Sequence, residues 1–137
     1  AFTPEELTGL LRKLNTWLTP GGALITELSS IHYFRNDINT QWASMESSFV
    51  LDKPQLWLDE KIWNEKTGSQ AYRVYVIDAE TSEVHELTVS SQGYEIEQYK
   101  SVLRSAGFEC REVFEGLTGD SAREESDFHA FFAVKND

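Results

Sequence analysis

His32 stands in the stretch SSIHYFRNDINTQW, directly after an apolar run from Ala23 to Leu28. An imidazole titrates near neutral pH, so a histidine here can serve as general base toward an acceptor hydroxyl or amine. Tyr33 and Phe34 follow it, and polar residues directly after a buried strand lie where α/β folds place ligand crevices. Glu27 puts a carboxylate into an apolar strand end, where it requires solvent or a partner and can orient a ligand. The plainer alternatives are a loop histidine without a task and a glutamate that merely reaches the crevice mouth. Trp42, Trp57, Trp63, Tyr72 and Tyr75 form a second group. They can line a pocket for a flat or apolar molecule, or pack one face of a sheet against the body of the domain. Trp57 and Trp63 share one strand parity while Leu56 and Leu58 share the other, so an aromatic face without cover would be a binding surface.

Other chemistries find less support. His32, His85 and His129 include no pair spaced as metal ligands on one element, so no metal is expected. Asp120, Glu124, Glu125 and Asp127 lack the spacing of a calcium loop and read as a solvated stretch. Ser29 and Ser30 lack the glycine elbow of a hydrolase nucleophile. The single Cys110 excludes an internal disulfide and a cysteine-based metal site, and it suits a reducing compartment, by default the cytoplasm. Twelve basic against 23 acidic residues give a net charge of −11, which repels phosphate backbones and anionic membranes. No nucleic-acid or membrane partner is expected, and the same acidity serves solubility. No run nears the ~20 apolar residues of a membrane span, and no signal peptide opens the chain. The first residue is Ala1, so the expectation is a chain cut or taken from something longer.

These residues must be positioned by a single domain, since 137 residues suffice for one core and not for two. Thr3-Pro4-Glu5-Glu6 is a helix start with a capping box and Pro at the first helical position. Leu7, Leu10, Leu11, Leu14 and Leu18 recur at helical spacing and give one apolar face, which Pro20-Gly21-Gly22 ends. Residues 23–28 then read as a strand whose apolar run suggests burial on both faces. Residues 29–42 read as a loop or short helix, and residues 49–89 as an antiparallel meander of three or four strands. Tyr94 opens a second amphipathic helix, with Ile96, Tyr99, Leu103 and Ala106 on one face and Gly107 as its left-handed cap. Strands at residues 108–114 and 130–134 close the chain, with the acidic stretch GLTGDSAREESDF between them.

The segments LLRKLNTWLTPGGALITEL, EIEQYKSVLRSAGFECREVFEGL and FHAFFAVKND, in that order, resemble the C-terminal half of a class I S-adenosylmethionine-dependent methyltransferase of the small-molecule type. The resemblance implies an α/β fold: a partial Rossmann-like sheet of family strands five, seven and six with two helices, from residues 1–28 and 94–137. Residues 29–93 then supply a loop and an inserted antiparallel meander that binds the acceptor. His32 falls where the family builds its substrate pocket and takes the role of catalytic base. Glu27, Tyr33, Phe34, Trp42, Trp57 and Tyr75 take substrate-binding roles.

The family's cofactor half, with its glycine-rich turn, has no counterpart here: no G-x-G-x-G occurs, and Gly21-Gly22 precede a strand instead of following one. S-adenosylmethionine is therefore expected in the complete enzyme and not on this chain alone, which is expected to be inactive by itself. The edge from Ala23 to Leu28 is expected to be covered by the missing half, a second copy in a homodimer, or a rearranged meander. A reading from a different class keeps the same residues as a stand-alone ligand- or protein-binding module without catalysis.

Overall fold

The computed structural model describes residues 2–136. In chain order its elements are α1 (Pro4–Trp17), β1 (Ala23–Ser29), α2 (Ile31–Asn36), β2 (Thr40–Met45), β3 (Gln55–Asn64), β4 (Ser69–Asp78), β5 (Val84–Gln92), α3 (Ile96–Ser105), β6 (Phe108–Glu115) and β7 (Phe128–Lys135). They form two compact units, one running through Asn36 and resuming at Gln92, the other spanning Asp37–Ser91. The sequence reading drew the division at 28/29 and 93/94; α2 instead belongs with the first unit.

The first unit is an α/β layer. Its sheet has the order β1-β7-β6, and β7 runs antiparallel to both neighbours, as the expected strand order five, seven, six requires. β1 and β6 are therefore parallel to each other and joined by a crossover that carries α3. The capping box forms as the sequence dictates: the Glu6 amide donates to Thr3 Oγ1 at 3.2 Å, and the Thr3 amide donates to the Glu6 carboxylate at 2.8 Å. Leu7 and Leu11 of α1 and Ile96, Tyr99 and Leu103 of α3 are buried with Ala106, Phe108, Phe131 and Ala133 in one core. Tyr99 sets its ring 4.6 Å from that of Phe131 and donates its hydroxyl to Thr26 Oγ1 at 3.2 Å.

Burial on both faces of β1 is corrected. Leu24 and Leu28 pack against the core, but Ile25 on the opposite face is 63% exposed. The core that receives α1 and α3 lies on one side of the sheet, so the alternate residues of an apolar run are left without cover. The start of α3 is also corrected. Tyr94 does not open the helix; it forms a parallel bridge with Ser30, and Glu95 caps the helix with Gln98. Gly107 takes φ +85 at the helix end, as its cap position demands.

The turn between α1 and β1 is a tight one of the kind Pro and Gly permit. Gly21 adopts φ +74, and the Gly22 amide donates to the Thr19 carbonyl at 2.8 Å. From the far end of the chain, the Lys135 ammonium donates to the carbonyls of Asn15 and Leu18 at 2.9 and 2.8 Å. A cation thus meets the negative end of the α1 dipole and satisfies carbonyls that the helix leaves open.

The second unit is one antiparallel sheet of order β2-β3-β4-β5. The meander begins earlier than the sequence reading placed it: Thr40 to Met45, in and just after the segment read as loop or short helix, form β2 against β3. At the β4–β5 turn the Asp78 carboxylate accepts the amides of Glu80 and Thr81 at 2.8 and 3.1 Å. Those amides, with Lys53 as a smaller contributor, hold its pKa below the ordinary aspartate value.

Two outcomes follow. Gly22→Ala places a Cβ 2.8 Å from the Thr19 carbonyl oxygen, whereas Gly9→Ala meets nothing within 4 Å. Denaturant unfolding is expected to show the first destabilised by about 1–3 kcal/mol and the second stabilised by up to ~1 kcal/mol. Because the folded pKa of Asp78 is depressed, its contribution is present above the unfolded value and is lost as pH falls through the folded one. Thermal melts of Asp78→Asn and the parent should therefore differ at neutral pH and converge in acid.

Candidate functional site

At the C-terminal end of β1 a cavity of about 400 Å³ opens between the strand, the loop after β6 and the start of β7. Glu27, Glu115, Gly116, Leu117, Thr118, Asp127 and Phe128 line it. Period-two alternation puts Glu27 on the same sheet face as Ile25, away from the core, so its carboxylate is free to reach the mouth. Gly116 carries φ +54, and a Cβ built there would lie 3.5 Å from Glu27 Oε2. The glycine thus serves both the turn and the close approach of the carboxylate.

The cavity is acidic. Glu27, Glu115 and Asp127 contribute three carboxylates, and Arg123 answers one of them, with Nη2 at 3.5 Å from Glu115 Oε1. Such a field favours a cationic or hydrogen-bond-donating ligand over a phosphate or carboxylate. Phe128 gives the cavity an apolar wall, and the Tyr33 ring of α2 sits 5.5 Å from it and 5.4 Å from that of Phe34. Glu27, Tyr33 and Phe34 are thus gathered through Phe128.

His32 lies in α2 and is half-buried. Ser30 Oγ accepts the Tyr33 amide at 3.1 Å, which holds the first turn of this short helix. His129, weighed from the sequence only as a metal ligand, is buried in β7, with Nε2 2.8 Å from the Arg123 carbonyl and its ring edge-on to Phe131. This bond pins the acidic stretch to the sheet beside the cavity. Asp127, in the stretch that reads as solvated, is exposed and also lines this cavity. No sequence period marks it, because the loop's own turns bring it there.

The aromatic group divides. Trp42, Leu58 and Tyr75 form a row across β2, β3 and β4 on one sheet face. Trp57 lies on the other face, between Ala43 and Val76, with Tyr72 beside Asp59 on that same face. Trp42 is 73% exposed. A single pocket built from Trp42, Trp57, Trp63, Tyr72 and Tyr75 is therefore excluded, since adjacent residues of a strand point to opposite faces. Tyr75 instead receives Arg73 Nη1 on its hydroxyl at 3.2 Å.

No family model matches the sequence, and no curated protein matches it. Among solved structures, the fold is similar to an S-adenosylmethionine-dependent methyltransferase from Clostridium acetobutylicum, with TM-score 0.72 and 9% identity, covering 98% of this chain and 52% of that one. It is similar also to the CcbJ methyltransferase from Streptomyces caelestis, with TM-score 0.70, 13% identity and 98% and 51% of the two chains. A third is the sugar N-methyltransferase KedS8 from a Streptoalloteichus species, with TM-score 0.60, 16% identity and 98% and 50% coverage. The fold is similar to about half of each of these methyltransferases. At such identities the likeness is one of fold, and this chain spans about half the length of these three methyltransferases. The residues present do not build a nucleoside cradle: β1 passes through Ser30 directly into α2 without a glycine turn, and Gly116 leads into carboxylate-lined loop and then β7.

Replacing the buried imidazole tests the loop's anchor. His129→Leu is expected to cost about 0.5–1.5 kcal/mol, by removing the side-chain partner of the Arg123 carbonyl, which keeps only the Ser126 amide at 3.1 Å. Limited trypsin digestion should show faster cleavage after Arg123, while cleavage after Lys61 in the second unit is unchanged.

Proposed function

We propose that this chain is the acceptor-binding portion of an S-adenosylmethionine-dependent methyltransferase acting on a small amine, working in a reducing, cytoplasmic setting. The observation that carries the reading is the acidic, phenylalanine-walled cavity at the end of β1, in a fold that matches methyltransferases over 98% of this chain. One of those similar proteins is a sugar N-methyltransferase, which makes nitrogen the favoured acceptor atom. Glu27 and Asp127 draw in the protonated amine, and Phe128 and Tyr33 pack its body. The nitrogen must be neutral to attack, so one N–H proton has to leave it, and His32, on α2 beside Tyr33 and not itself among the lining residues, is the group assigned to accept that proton. Trp42, Trp57 and Tyr75 stand outside this cavity. The methyl group is supplied from outside these residues, so this chain's share of the rate is positioning and proton acceptance.

The same reading assigns a partner to the free side of β1. Among the described residues that strand pairs with β7 and with no other strand, and it exposes Ile25 on one face; an apolar strand edge is a template for pairing. A further strand from the cofactor-binding half is the occupant we assign.

The sequence encoded directly ahead of Ala1 is the first test, where a glycine-rich strand–turn–helix is expected. S-adenosylmethionine should leave the melting temperature of this chain unchanged and raise that of the extended protein by mass action. In the extended protein, Glu27→Gln is expected to raise KM for the amine about tenfold with a smaller effect on kcat. His32→Gln should lower kcat by roughly 10². Cofactor stabilisation of this chain by itself, or an extended protein indifferent to both substitutions, would overturn the assignment.

A further inference from the structure

The four-stranded sheet carries a cavity of its own, about 330 Å³, lined by Phe49, Trp57, Tyr72, Val74, Leu87 and Val89 with Thr88 at its edge. Its wall is almost wholly apolar, and three of its residues are aromatic. Phe49 stands edge-on to Trp57 at 5.7 Å.

Beside this wall lies a carboxylate that the apolar setting does not explain. Asp59 pairs with Val74 across β3 and β4, and alternation sets it on the face that bears Trp57 and Tyr72. It is only 5% exposed. One oxygen, Oδ2, accepts Trp57 Nε1 at 3.0 Å and Gln41 Nε2 at 3.3 Å. The other, Oδ1, is buried with no hydrogen-bond partner. Lys61, two residues along the same face, is turned to Asp37 at 2.7 Å. Asp59 stands behind the lining: Trp57, which donates to it, and Val74, opposite it on β4, both line the cavity.

A buried carboxylate oxygen left unpaired costs free energy, more for a charged group than for a neutral one. A ligand that brings a donor removes that cost and gains a charge-assisted hydrogen bond. Aromatic faces next to the carboxylate add attraction for a cation. We infer that this cavity binds a ligand with an aromatic or alicyclic body bearing one protonated amine. The body packs on Trp57, Phe49, Leu87 and Val89, and the ammonium donates to Asp59 Oδ1. The inference rests on this sheet alone and stands whether or not the chain takes part in methyl transfer.

Phenethylamine and its neutral analogue phenethyl alcohol are suitable probes, followed by calorimetry and tryptophan fluorescence on the present chain without cofactor. The amine is expected to bind at least about tenfold more tightly at neutral pH. Asp59→Asn keeps an acceptor for Trp57 Nε1 and should bring the two affinities together, while Val89→Trp fills the cavity and should abolish both. Near-ultraviolet circular dichroism confirms that each variant is folded, and loss of binding in Val89→Trp stands as the second arm if Asp59→Asn does not fold. Equal affinity for amine and alcohol in the parent, no binding of either, or a preference that survives in both variants would overturn the proposal.

Discussion

β7 hydrogen-bonds along both of its edges, and among the described residues β1 and β6 pair with no other strand, β6 adding one bridge from Phe114 to Ser121. The first unit therefore depends on a strand that the chain supplies last. Its buried face brings Phe131 under Tyr99 and Ala133 into the core, so sheet pairing and helix packing are completed together. Its end also returns Lys135 to the carbonyls of Asn15 and Leu18, tying the last strand to the first helix. Contacts of such long sequence separation must overcome loop-closure entropy before they stabilise anything, which makes this pairing cooperative.

The same strand builds the acidic cavity. Phe128 begins β7 and forms one wall, while the register of β7 against β1 sets Glu27 opposite Ala130 and next to the turn at Gly116. His129, one residue further, faces the opposite way and fastens the Arg123 carbonyl. Alternation along one strand thus divides two neighbouring residues between a ligand-facing wall and an internal anchor.

The second unit keeps a different balance. Its two sheet faces are unequal: Asp59, Val74 and Val76 are buried on one, and Trp42, Leu58 and Ile62 are exposed on the other. A carboxylate held on the buried face is costly, and the Trp57 and Gln41 donors offset that cost on one oxygen only. The remaining oxygen is left without a partner.

Much of the architecture was legible from local chemistry. The capping box at Thr3 and Glu6, the stop at Pro20-Gly21-Gly22, the cap at Gly107 and the alternation through Trp57 and Tyr72 each act within a few residues, so sequence determined them. The order of motifs also led to the expected strand arrangement and to a methyltransferase-like fold. Three matters were settled only by long-range pairing. Ile25 is exposed because both helices found the other face of the sheet, which no local period encodes. Trp42 became a strand residue because β3 offered it Leu58 as partner. Asp127 and Glu115 meet Glu27 because β7 folds back between strands whose residues lie some eighty positions apart in the chain. Residue types decided what each segment could form; the tertiary structure decided which carboxylates share a cavity, because proximity across a sheet is set by register and not by sequence distance.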